Sequence, residues 1–89
     1  MLEKIKKSMR ISHNKLDDSI TDDIESCKTE LQMAGVYCKD TDQLLQKACE
    51  LYVKWQNDYG GKGEQFEKAY NKLKDAMALC GDYNVRPTD

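Results

Sequence analysis

The chain has 89 residues, of which 39% are hydrophobic and 34% charged, with 14 basic residues against 16 acidic ones and a formal net charge of −2. At this size only about 60–65% of the unfolded chain's surface is buried on folding, so one domain with a thin core is expected and a second is excluded. The near balance of charge argues against an acidic disordered chain and a wholesale nucleic-acid binder, and no apolar run nears the ~18 residues of a membrane span.

One proline and five glycines leave most of the chain free to be helical. Leu2, Ile5 and Met9 recur at helical spacing and predict a short first helix over residues 1–10, with Lys4, Lys6, Lys7 and Arg10 on its polar side. The lysines of this segment precede no apolar core of the kind a signal peptide needs, so the expected compartment is the cytosol. Ser12, His13 and Asn14 then interrupt the pattern, and Ser12 or Asn14 is placed to cap the next helix, Asn14 with Asp17 three positions on.

A second helix is expected from about Leu16 to Ala34, its apolar stripe formed by Leu16, Ile20, Ile24, Cys27 and Leu31. Asp17, Asp18, Asp22 and Asp23 crowd its first half, where negative charge suits the positive end of the helix dipole. Gly35 stands where a left-handed residue stops a helix, with Val36 as the hydrophobic contact of that stop.

Thr41 or Asp40 can cap a third helix reaching about Tyr59. Its apolar positions, Leu44 through Tyr59, cover more than one face, which predicts a central helix or one with a second face for a partner. Gly60, Gly61 and Gly63 break the chain. A fourth helix, roughly Glu64 to Leu79, carries Phe66, Tyr70, Leu73, Met77 and Cys80 on one stripe, with Ala69 and Ala76 beside it to permit close contact. Gly81 ends it. The expected fold is all-α, a small single-domain bundle of three longer helices after a short first one. Residues 1–83 form the domain and residues 84–89 a flexible C-terminal tail.

Charge is laid out unevenly. Residues 1–15 set five lysines and arginines against Glu3 alone, and residues 16–35 set six acids against Lys28 alone. A dipolar layout of this kind suits head-to-tail self-association; ordinary solvated helix faces are the plainer explanation.

Catalysis has no visible carrier. Cys27, Cys38, Cys49 and Cys80 form no close pair of the kind zinc requires, and His13 stands alone. The aspartates of the second helix do not match a calcium loop, so no enzyme, metal or cofactor is expected. The stretch from Leu31 through Gly35 to a helix beginning near Thr41 has the outline of a helix-turn-helix, making a small DNA-binding regulatory protein the alternative function. Asp40 and Asp42 stand where phosphates would have to approach. Tyr52, Trp55, Tyr59, Phe66 and Tyr70 are expected to divide between core packing of the third and fourth helices, which their helical spacing suits, and a partner surface, with Trp55 or Tyr59 the better interface candidates, since tyrosine and tryptophan dominate interface hot spots.

Three stretches resemble the phage head–tail connector family, also called head-completion or adaptor proteins. Residues 1–12, ending in Arg10-Ile11-Ser12, resemble the family's opening helix and its exit. Residues 16–24, running on to Ala34-Gly35-Val36, resemble its acidic second helix and stop. Residues 66–83, ending in Gly81-Asp82-Tyr83, resemble its last helix and terminal motif. The likeness spans roughly residues 1–83. It implies a structural protein of the virion neck, made in the bacterial host cytoplasm and assembling as a ring, expected to be a dodecamer, under the portal protein. The ring would extend the DNA channel, touch genomic DNA non-specifically and present a surface to the next neck or tail-completion protein, with no membrane involved. The chain's own charge layout fits that role: the basic first helix (Lys4, Lys6, Lys7, Arg10) is expected to meet the acidic second helix (Asp17, Asp18, Asp22, Asp23) of a neighbour. The polar stretch from Gly81 to Asp89, which contains Pro87 and follows a helix stop, is expected to order only on binding a neighbouring ring, with Tyr83 as its anchor.

Overall fold

The computed structural model describes residues 1–84, and within them builds four α-helices and no strand. These are α1 (Leu2–Ser8), α2 (Asp17–Met33), α3 (Gln43–Gln56) and α4 (Gly63–Leu79). Short 3₁₀ turns at Tyr59–Gly61 and Gly81–Tyr83 complete them. The all-α expectation holds, as does the order of one short helix and three long ones. Most of the expected tail, residues 85–89, lies outside the described residues. None of the described helices is long and apolar enough to cross a membrane.

The core follows from the stripes. Ile20, Ile24, Cys27 and Leu31 of α2 are all buried, as are Leu45, Ala48, Cys49, Leu51 and Val53 of α3 and Tyr70 and Met77 of α4. Ile5 and Met9 bring α1 onto the same cluster. Leu16 does not join it. At 39% exposure it sits outside the helix, because α2 begins one residue later. Ala69 and Ala76 are exposed, while Ala48 of α3 is fully buried. Contacts across the bundle fix its directions. Tyr59 packs near Phe66 and Trp55 near Tyr70, so α3 and α4 run antiparallel. Asn57 donates to Asp23 at 3.3 Å, so α3 also opposes α2. Cys27 lies against Tyr70 and Glu30 against Lys74, so α2 and α4 run parallel. Helix α3 is therefore the shared element, as its wide apolar surface predicts.

The helix ends carry most of the departures. At the end of α2 the Val36 N–H bonds the Leu31 carbonyl at 2.9 Å and the Gly35 N–H that of Gln32 at 3.0 Å, with Gly35 at φ +85°. This is the expected glycine stop. The same bond pattern ends α1, with Ile11 N–H on Lys6 O (2.9 Å) and Arg10 N–H on Lys7 O (3.1 Å), yet the left-handed residue is Arg10 at φ +59°. An L-residue with a Cβ is strained there by roughly 1–2 kcal/mol. Arg10→Gly is accordingly expected to raise stability by about 1 kcal/mol, read as a melting temperature ~4–8 °C higher.

Helix α2 has no side-chain cap; neither Ser12 nor Asn14 serves it. Asn14 instead turns its side-chain oxygen to Lys6. The cap of α3 is neither Thr41 nor Asp40 but Asp42, whose Oδ1 accepts the N–H groups of Leu44 (2.8 Å) and Leu45 (3.2 Å). Helix α3 stops at Gln56, three residues short of Tyr59. Asp58 there turns left-handed (φ +45°) and accepts the Gly63 N–H on its Oδ1 at 2.8 Å. Asp58 thus ends one helix and supplies the acceptor that starts the next, placing its charge at the positive end of α4.

Candidate interaction surfaces

The expected basic-to-acidic contact is partly used up within the chain. Lys6, only 4% exposed, points inward; its Nζ lies 2.7 Å from Asp17 Oδ1 and 3.0 Å from Asn14 Oδ1. That pairing ties α1 to the start of α2 and buries Lys6 within the chain, a correction to its expected place at a subunit interface, while Asp17 is half-buried and already paired. Asp23 is half-buried against Asn57. Burial, opposed by the Asn57 hydrogen bond and reinforced by the Asp22 charge, raises its carboxyl above the ordinary 3.8. A raised carboxyl is a penalty on the folded state that is absent below pH 3.8 and grows as pH climbs through the raised value. Asp23→Asn keeps an acceptor for Asn57 and removes the charge. The expected result is a higher denaturation midpoint at pH 7, with the gain vanishing near pH 3.5.

What remains outside is segregated. Lys4, Lys7 and Arg10 are exposed, with Lys15 close by in sequence, and so are Asp18 and Asp22. Among the described residues, Lys7, Arg10, Lys15, Asp18 and Asp22 have no ion-pair partner within 4.0 Å. Lys4 makes only a 3.2 Å bond to the Gln46 amide oxygen.

The aromatic candidates divide less cleanly than expected. Trp55 packs edge-on to Tyr52 (centroids 5.5 Å) and tilted against Tyr70 (5.9 Å), while Tyr59 faces Phe66 at 6.4 Å. Lys54 lays its ammonium 5.5 Å from the Tyr59 ring and 5.6 Å from the Phe66 ring. Trp55 and Tyr59 are both half-buried in the α3–α4 seam, where their rings pack against Tyr70 and Phe66 and part of each side chain remains exposed.

Tyr83 is held by its own chain. Its carbonyl accepts the Tyr37 N–H at 2.8 Å and its hydroxyl donates to both oxygens of Asp42, at 3.0 and 3.2 Å. The Gly81–Tyr83 turn is therefore docked without a neighbour, which corrects its assignment to a tail that orders only on binding. Burial first, then the hydrogen bond to Asp42, pushes the Tyr83 phenol up to about 12. Sequence inspection could not see this contact because Asp42 is 41 residues away; its suitability as a helix cap was the one available signal.

Tyr83, Tyr37, Asp42, Leu44, Cys38 and Cys80 line an open groove of about 550 Å³ at this end of the bundle. Burial and the Asp42 and Asp40 charges raise the Cys38 thiol to about 11, so it is a poor nucleophile at neutral pH. All four cysteines are free thiols. Cys27 and Cys49 are fully buried, and the neighbouring Cys49 thiol together with burial holds Cys27 protonated. Among the described residues no group of three or more His, Cys, Asp or Glu side chains is arranged to hold a metal ion. No protein-family model, curated protein or solved structure matches the chain.

Proposed function

We propose that this chain is a head–tail connector of a phage or prophage virion, a structural protein that assembles under the portal and joins head to tail. The observation that carries this proposal is the ordered likeness of three segments, across residues 1–83, to that family. The segments in question coincide with α1 and its Arg10 stop, acidic α2 and its Gly35 stop, and α4 with its Gly81–Tyr83 turn. A unit of 38 × 28 × 18 Å with oppositely charged exposed faces suits repetition around a ring.

The helix-turn-helix alternative has less support. In that motif two helices cross at about 90–120° after a turn of three or four residues. Here nine residues, Ala34 to Asp42, join α2 to an antiparallel α3, and the first turn of α3 opens on the Asp42 carboxylate. Co-sedimentation with the portal protein of the same genome, imaged in negative stain, is the test. An added ring of density under the portal is expected. A folded, helical protein that leaves the portal bare would overturn the proposal, and DNA affinity surviving moderate salt would favour the alternative.

A further inference from the structure

The outer face of α2 is one continuous stripe. Asp18, Asp22, Glu25, Thr29 and Met33 recur at steps of four, three, four and four, opposite the buried stripe of Ile20, Ile24, Cys27 and Leu31, and all five are exposed. Its N-terminal half is acidic. Its C-terminal end carries Met33 at 84% exposure, beside a shallow groove of about 410 Å³ lined by Ser26, Thr29 and Glu30. An isolated exposed methionine is ordinary, and so is a row of aspartates at a helix start. Together they give this face a charged N-terminal half and a single exposed apolar side chain at its far end.

The chain itself carries the matching charge. Lys4 and Lys7, one turn apart on α1, are exposed, and Lys7 lacks an ion-pair partner within the described residues, as do Asp18 and Asp22. The Lys6–Asp17 pair ties α1 to the start of α2, while Lys4, Lys7, Asp18 and Asp22 remain exposed. That arrangement lowers the ordering cost of association.

We propose that the acidic N-terminal half of the α2 outer face receives α1 of a second copy of this chain, with Lys4 and Lys7 set against Asp18 and Asp22. This deepens the connector proposal by naming the residues of its subunit contact, and it concerns self-association alone.

The experiment is sedimentation velocity of the full chain over a concentration series at about 25 and 500 mM salt. Exposed ion pairs weaken as the screening length shortens, so association at low salt that falls at high salt is expected. The paired variant K4E/K7E, and separately D18K/D22K, should each weaken association roughly tenfold or more by placing like charges opposite one another. Mixing the two variants should restore it, since each supplies what the other lacks. All four positions are exposed, and circular dichroism with thermal melting verifies that the variants remain folded. A wild-type chain that stays monomeric under every condition would overturn the contact, as would variants that associate like wild type or fail to complement. Portal co-sedimentation is scored separately: binding by a monomeric chain would sink this contact and leave the connector proposal standing, and self-association without portal binding would do the reverse.

Discussion

Lys6→Ala is expected to destabilise the fold by about 3 kcal/mol, the lower part of the range for stripping one partner from a buried ion pair. Three losses combine. Among the described residues the Lys6 ammonium is the sole partner of Asp17 Oδ1, a buried oxygen that accepts no hydrogen bond from any other group. It also bonds Asn14, which holds the turn into α2. The methylenes of Lys6 lie in the seam that fastens α1. Asp17 keeps about a quarter of its side chain in water, which limits the penalty of leaving it unpaired. For a chain of this length such a loss should lower the melting temperature by ~12–24 °C. Lys6→Met should cost nearly as much, because it keeps the stem and still strands the carboxylate. Adding Asp17→Leu should recover most of the loss, since two apolar groups can replace an ion pair. If K6M alone melts within about 3 °C of wild type, the pair contributes nothing and the argument fails. Reversing the charge at Lys6 would unfold the first helix and say nothing about a partner, so an interface test belongs at Lys4 and Lys7.

Gly63→Ala is expected to cost about 3 kcal/mol, at the upper end for a forced overpacking. Its φ is ordinary; the constraint is space. A Cβ at this position would lie 2.7 Å from Asp58 Oδ1 and 3.3 Å from both the Asp58 Cα and the Trp55 carbonyl oxygen. The first contact is the very oxygen that accepts the Gly63 N–H, so the side chain cannot swing away without losing the bond that starts α4. The other two are backbone and cannot yield. Asp58→Gly removes the close oxygen and suits the left-handed φ at that residue, at the cost of the helix-starting acceptor. The double variant should therefore be more stable than the sum of the singles requires, by roughly 1 kcal/mol in a double-mutant cycle. Urea midpoints of the four proteins measure it. Strict additivity would mean that Asp58 is not what excludes the methyl group.

Both effects lie where the sequence was least informative. The apolar steps at Ile20, Ile24, Cys27 and Leu31, and at Tyr70 and Met77, were legible because a helix repeats every 3.6 residues and the core selects one side of it. Gly35 was legible because its conformation needs no distant partner. Arg10 was not, since nothing in an arginine advertises a left-handed φ. Asp42 caps α3 one position beyond Thr41 and two beyond Asp40. Caps are settled by where the chain turns, and the chain turns where α3 packs.

The candidate surface divides in the same way. Opposite charge on the first two helices is a property of the chain in any conformation, and the sequence alone determined it, together with the all-α class, the helix order and the glycine stop of α2. Which charges remain available is a property of the packing. Tertiary structure turned Lys6 and Asp17 toward each other, set Asp23 against Asn57, drew Tyr83 back onto Asp42 and left Lys4, Lys7, Asp18 and Asp22 facing out. The physical reason is range. Helical periodicity and glycine conformation are local and repeat within a few residues, whereas an ion pair or a hydrogen bond between residues far apart in sequence exists only once the helices that carry them have packed.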